Sequence, residues 1–329
     1  MPLPTLGDVH VNRPLTSISI AMIQSETNFV APDVFPIVPV QKRTDSYWSY
    51  DSAYWNSDEA DERAPGTESR GNGYAVDASN TYACRVYAFH KDVDDQTRAN
   101  ADDPLNLDSE ATRYTTLKCL IKREGLFAAA YMAQSIWTRD YAGVSATPGA
   151  NQVLQWNDEN STPIQDVWAA KASILELTGF EPNVLCMGYH VYSALVNHPD
   201  FVDRVKYGQT SGVAMIDTSE IAQLFKVSKV VIMRAIKNSA KEGATASTAF
   251  IGGGKSALLA YAPPSPGLMT PSGGYIFSWT GYLGAGAFGN RMKRFRKEDI
   301  ESDRIECQMA FDMKKIAADL GAFWRTLVA

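Results

Sequence analysis

At 329 residues, with 45% hydrophobic and 21% charged residues, the chain holds material for one large domain or two modest ones and reads as a soluble globular protein. A net charge of −6 and a pI near 5.3 argue against a general nucleic-acid binder, which carries a basic stripe, but not against a container that encloses nucleic acid without gripping it. Cys84, Cys119, Cys186 and Cys307 form no CxxC and have no histidine at zinc-finger spacing, so buried free thiols in a reducing compartment are expected.

Residues 1–37 contain five prolines and short apolar patches without a sustained period, the pattern of an extended arm ordered by docking. The patch Ile18-Ser19-Ile20-Ala21-Met22-Ile23 is too short and interrupted for a signal peptide or membrane span, and synthesis in a cytosol is expected. Residues 38–50 (VPVQKRTDSYWSY) read as a strand and residues 80–90 (NTYACRVYAFH) as its return partner. Roughly thirty residues rich in Asp, Glu, Ser and Gly separate them, a connection too long for a domain interior. Fully extended, residues 38–50 would reach roughly 40 Å. A lone hairpin is marginal in water, so such an arm is expected to lie on something else, and in a chain without a catalytic cluster that is another copy of itself. The tip sets Asp58, Glu59, Asp61, Glu62 and Glu68 against Arg63 and Arg70, and Tyr47, Trp48, Tyr50, Tyr54 and Trp55 crowd its approach. A disordered loop is the plain alternative; aromatics at this density favour an inter-subunit contact.

The longest helical period follows, over residues 108–137, with Asp108 or Ser109 as cap and apolar residues from Leu117 to Ile136 spaced by three and four. Residues 138–161 read as loop. Thr162-Pro163-Ile164-Gln165 has the spacing of a capping box and opens a helix that stops near Gly179. Strand 184–187, helix 190–196, a helix from the cap Asp217 through Phe225, and strands at 229–233, 248–251 and 257–261 describe an α/β domain. After the proline-rich break at 263–267 come a strand at 275–279 and the cleanest alternation in the chain. There Ile305, Cys307, Met309, Phe311 and Met313 face one side, and Glu306, Gln308, Ala310, Asp312 and Lys314 the other, so one buried face is expected.

The candidate chemistries fail on spacing. Gly252-Gly253-Gly254-Lys255-Ser256 suggests a phosphate loop, but Ala249 stands where the first glycine belongs and a strand, not a helix, follows. Among His10, His90, His190 and His198 no zincin spacing occurs. Asp92, Asp94, Asp95, Asp102 and Asp103 lack the glycine and closing glutamate of a calcium loop and read as a solvated linker. No catalytic residue, cofactor or metal is assigned. Lys293, Arg294, Arg296 and Lys297 form the only basic run, a candidate contact patch for nucleic acid or for an acidic neighbour such as an adjacent subunit's hairpin tip; a solvated loop is the alternative.

The order of parts, together with residues 182–199 (PNVLCMGYHVYSALVNHP), 221–232 (IAQLFKVSKVVI) and 316–323 (IAADLGAF), resembles the Hong Kong 97-type major capsid proteins of tailed bacteriophages over nearly the whole chain. The resemblance implies an α+β capsid fold: an N-arm at 1–37, an E-loop at 38–93, a P-domain at 94–161 and 270–315 with its spine helix at 108–137, an A-domain at 162–269, and a return to it at 316–329. It further implies homo-pentamers and homo-hexamers closing into an icosahedral shell around double-stranded DNA, without sequence-specific binding or a membrane. No long charged helical segment precedes the arm, so a separate scaffolding protein is expected, with a portal and optionally a decoration protein as further partners. The expected location is the virion, after assembly in the host cytoplasm. Encapsulin compartments share the fold and form the second reading. A nucleotide-dependent enzyme is the third.

Overall fold

The computed structural model describes residues 23–101, 105–208, 216–267, 269–284 and 290–329; residues 1–22, with His10 and most of the apolar patch, and Asp102 and Asp103 lie outside them. Within the expected arm, residues 29–35 do not wait for a partner. They enter the subunit's own core, where Phe29, Val30, Ala31, Val34 and Phe35 are buried and Ala31–Val34 forms one helical turn.

The expected 38–50 strand is broken. β1 (Ile37–Val40) and β2 (Thr44–Tyr50) are separated by bends at residues 41–43, and the return is likewise split by Cys84 into β3 (Val76–Ala83) and β4 (Arg85–Asp94). Only β2 and β3 form the projecting hairpin. β1 and β4 belong to a sheet at its root, because their apolar residues find a core there.

That sheet runs β1-β12-β14-β13, with β4 pairing the opposite edge of β14, where β12 is Gly274–Trp279, β13 Asn290–Lys297 and β14 Ser302–Lys315. The long helix Leu107–Tyr131 lies on it. Asn106, not Asp108 or Ser109, caps its start by accepting the Ser109 N–H (3.0 Å). Its 25 residues span about 37 Å. It stops at Tyr131, short of the predicted 137, because the chain turns back at Ser135 (φ +64°) and the Trp137 indole N–H donates to the Tyr131 carbonyl (2.8 Å). Trp137 is held so closely that a Cβ on Gly321 would stand 2.2 Å from its ring. β14 has its odd-numbered face against the helix, as the alternation required. The other face is not simply wet: Ala310 and Gln308 are buried there as well, since the short helix Thr280–Leu283 packs nearby.

The second sheet runs β6-β5-β15-β11-β7-β8. Its strands are β5 (Arg139–Val144), β6 (Gln152–Leu154), β7 (Val184–Gly188), β8 (Lys229–Met233), β11 (Ala257–Ala260) and β15 (Gly321–Arg325), while β9 (Ile236–Asn238) and β10 (Thr248–Phe250) form a small separate hairpin. Residues 138–161 are therefore not loop: β5 pairs in parallel with β15, and β6 with β5. Both faces of this sheet are buried. Val184 and Cys186 point into the core shared with the long helix, and Leu185 and Met187 into a second core under the helices Pro163–Thr178, Tyr189–Val196 and Thr218–Phe225. A further helix, Pro199–Gly208, follows where the sequence reading ended one at Pro199. Asp217 and Glu220 complete a capping box, whereas Thr162 makes no side-chain cap bond.

The Gly252–Gly254 stretch turns between strands with φ of +79°, +81° and +70°, and Lys255 Nζ donates to the Ala329 carbonyl (2.7 Å). A turn between strands accounts for the three glycines. No helix of at least 18 described residues is apolar enough to cross a membrane. All four cysteines are buried free thiols.

Residues 29–35 are anchored by Glu124, two turns before the end of the long helix. Its fully buried carboxylate accepts the Val30 N–H (3.3 Å) and the Ala31 N–H (3.0 Å), and burial raises its pKa despite those bonds. Phe35 then meets Tyr131 (4.6 Å between ring centroids), Trp137 (6.2 Å) and Phe127 (6.5 Å). On the far side Lys229 Nζ reaches Asp33 through its carboxylate (3.2 Å) and carbonyl (3.1 Å). Replacing Glu124 with Ala leaves two buried amides without their acceptor, so unfolding free energy is expected to fall by about 2–3 kcal/mol. Urea unfolding and a protease map check this: residues 23–35 become cleavable first, and an unchanged cleavage pattern would refute the anchoring role.

Candidate assembly surface

The hairpin is built in two zones. At its base, Tyr47 stacks on Phe277 (5.6 Å between ring centroids) and Tyr82 on the same ring (4.6 Å), beside Val40 and Cys84. Burial, with the Asp312 charge adding to it, pushes the Tyr47 hydroxyl above its ordinary pKa; burial likewise pushes the Cys84 thiol up to about 11. Tyr47 thus anchors the base of the hairpin within its own subunit. Its apolar partner comes from a strand far along the chain, which no local pattern announces.

Beyond the base, most hairpin residues are exposed on both faces. The register between β2 and β3 shifts between Tyr47 and Ser49, a bulge that leaves Trp48 64% exposed. Tyr50, Trp55 and Tyr74 form an aromatic cluster, with centroids 6.2 Å (Tyr50–Trp55), 6.1 Å (Tyr50–Tyr74) and 5.0 Å (Trp55–Tyr74) apart. Asp51 caps the short helix Ser52–Trp55 by accepting the Ala53 N–H (2.9 Å), which turns Tyr54 and Trp55 outward. The sequence reading missed Tyr74 (60% exposed) and Val76 (47%); an aromatic directly after Gly71-Asn72-Gly73 and before a strand was the available signal. Arg63 and Arg70 do not stand free: Arg63 Nε donates to the Thr67 carbonyl (2.6 Å), and Arg70 pairs with Asp61 (2.8 Å). With Asn72 donating to Glu59 (2.9 Å), these bonds shape the tip from within.

The basic run forms edge strand β13. Arg294 bonds Asp303 (2.6 Å) and lies 3.3 Å from Asp108; Arg296 grips Asp95 with two bonds (2.5 and 2.8 Å). Arg98 bridges Asp95 (3.1 Å), Asp108 (2.9 Å) and Asp303 (3.1 Å). Three arginines and three aspartates thus pair within one chain, so Arg294 and Arg296 have carboxylate partners in their own subunit. Lys293 lies opposite Glu306 and Lys297 opposite Ser302 in the β13–β14 register. The Arg294 hydrogen bond holds Asp303 below the usual carboxylate pKa range, as Arg296 does for Asp95. Nor is the acidic stretch a solvated linker: Asp94 caps the helix Asp95–Ala99, and Asp92 takes two bonds from Arg304 (2.7 Å each). No group of three or more His, Cys, Asp or Glu suited to a metal occurs among the described residues.

The comparisons with known proteins point one way. No family model matches the chain. A curated relative, the major capsid protein of Pseudomonas phage JBD67, is 25% identical over 230 residues, 70% of each chain. A phage-related protein from Bordetella bronchiseptica RB50 superposes with a TM-score of 0.66 at 19% identity, over 92% of this chain and 93% of that one. The capsid of cyanophage P-SCSP1u gives 0.60 at 9% identity, over 95% and 92%. An encapsulin complex from Synechococcus elongatus PCC 7942 has the same fold, with 0.53 at 10% identity over 96% and 92%. The fold is the mixed α+β fold of Hong Kong 97-type capsid proteins.

Arg304 holds the Asp92 carboxyl below its ordinary pKa. A carboxylate depressed in this way contributes stability above its unfolded pKa of about 4, and the contribution is lost as pH falls through the folded value. Arg304→Gln is therefore expected to destabilise the subunit at neutral pH and to flatten the loss of stability as pH falls below about 4. Urea midpoints at stepped pH measure it; parallel curves for variant and wild type would refute the coupling.

Proposed function

We infer that this chain is the structural major capsid protein of a tailed bacteriophage, closing as pentamers and hexamers into an icosahedral head around double-stranded DNA. The hairpin carries this reading. Its base is anchored in the subunit, while Trp48, Tyr50, Tyr54, Trp55, Tyr74 and Val76 are exposed on a projection of just two strands. Large aromatics concentrated there fit burial against a neighbouring copy better than solvation. Contacts of modest strength, repeated around rings whose rotations close, hold a shell together without tight pairwise binding.

In the same reading, residues 1–37 act as the N-arm and the β2–β3 hairpin as the E-loop. The long helix with the β14 sheet acts as the P-domain, and the six-stranded sheet with its helices as the A-domain. Assembly proceeds in the host cytoplasm with a scaffolding protein and a portal, and a decoration protein is a further candidate partner. Lys293 and Lys297, whose charge the arginine–aspartate hub does not engage, are the residues of the basic run left for an outside partner. The encapsulin reading shares the fold, but the relative found by sequence is a phage capsid protein.

Replacing residues 51–75 with a short turn is expected to leave a folded subunit that no longer forms shells. Circular dichroism and electron microscopy of particles made with the packaging proteins check this. Shells of normal size and yield from the shortened chain would sink the reading.

A further inference from the structure

Cys119 and Cys307 are the two cysteines that meet. Cys119 sits at the midpoint of the long helix, on the side pressed against the sheet, and Cys307 on the helix-facing side of β14. The Cys119 thiol donates to the carbonyl oxygen of Cys307 itself (3.6 Å), which brings its sulfur against that residue. In register, Cys307 is flanked by Phe89 of β4 and Met292 of β13, so the pair is walled by apolar side chains. Arg123, one helical turn beyond Cys119, is buried nearby. The other two cysteines have no such neighbour: Cys84 donates to the Phe277 carbonyl (3.6 Å), and Cys186 lies in the second sheet.

We propose that Cys119 and Cys307 form an oxidative modification site, a thiol pair that closes to a disulfide between the long helix and β14 when the protein meets a small two-electron oxidant of the peroxide class. The roles of the two sulfurs differ. The neighbouring Cys119 thiol, with the Arg123 charge adding to it, lowers the pKa of the Cys307 thiol, while that same proximity and burial hold Cys119 protonated. The Cys307 thiolate attacks one oxygen of hydrogen peroxide; the O–O bond breaks, the sulfur becomes a sulfenic acid, and hydroxide leaves. The Cys119 sulfur then attacks the sulfenic sulfur, and the Cys119 proton leaves with the hydroxyl as water. Two thiols and one peroxide thus give one disulfide and two waters. Peroxide is close to water in size, so local opening of the helix against the sheet suffices to admit it. The link joins residues 188 apart in sequence, so it restricts the unfolded chain strongly while fixing the helix on its strand. The proposal does not depend on shell formation, and it applies equally to the isolated subunit.

The test treats the purified, native full-length protein with hydrogen peroxide, then denatures it, alkylates free thiols and maps the unreduced peptides by mass spectrometry. The expected result is a linked pair of peptides carrying Cys119 and Cys307, lighter by two hydrogens than their sum and lost on reduction, with Cys84 and Cys186 alkylated. Alkylation of all four cysteines alike, stable oxygen adducts on Cys307 without a link, or a link through Cys84 or Cys186 would overturn the proposal. In Cys119→Ser the reaction is expected to halt at a Cys307 sulfenic acid that dimedone traps, while absence of dimedone labelling in the folded variant would count against the assigned order. The wild-type peptide map decides the question even if that variant does not fold.

Discussion

A charged group placed where water cannot reach must be satisfied by the protein, and Glu124 meets that demand with the backbone of residues 30 and 31. The bond fixes where the extended N-terminal segment crosses the long helix. Everything near the crossing follows from it. Phe35 is delivered into the rings of Phe127, Tyr131 and Trp137, and β1 emerges beside β12 in parallel register. Asp33 is set within reach of Lys229, which opens a strand of the other sheet. One buried carboxylate thereby organises a junction between the long helix, both sheets and the start of the projecting hairpin.

The hairpin shows the opposite economy. Its base shares Phe277 with the core, but its outer part relies on its own ladder, an aromatic cluster and a few bonds between exposed polar groups, each of which adds little in water. A subunit with a rigid centre and an under-supported extension suits assembly, because the stabilisation withheld from the monomer is released on contact. The arginine–aspartate hub at β13 is complementary to this, since it pairs Arg294 and Arg296 of the most basic strand inside the chain.

The sequence was most legible where one element decides its own fate. The alternation in β14, the box formed by Asp217 and Glu220, and the turn at Gly252–Gly254 could all be read directly. Features set by distant residues were not. β5 and β6 are short and contain polar or glycine residues, and they are strands only because β15, near the other end of the chain, pairs with β5. The end of the long helix depends on Trp137 folding back over Tyr131. At the candidate surface, the exposed aromatics were readable from density alone, whereas the inward packing of Tyr47 and the pairing of Arg294 and Arg296 required partners that proximity along the chain does not reveal. Thr162 shows the converse: a correct spacing is no guarantee that the side chain takes the bond.

The two interruptions that divide the hairpin from the sheet fall side by side. Cys84 donates its N–H to the Arg43 carbonyl (2.8 Å), and Arg43 Nε returns a bond to the Cys84 carbonyl (3.4 Å). The forearm thus joins the body across a narrow wrist held by this reciprocal clasp, by the Ala83 N–H on the Asp312 carboxylate (2.9 Å) and by the Trp279 indole N–H on the Gln41 carbonyl (2.9 Å). Because Tyr47 and Tyr82, just beyond that wrist, stack on Phe277 of the body, freedom to meet neighbours at different angles belongs to the outer part of the forearm rather than to the wrist itself. In the shell proposed above, with its five-fold and six-fold surroundings, each tile would draw on that tolerance.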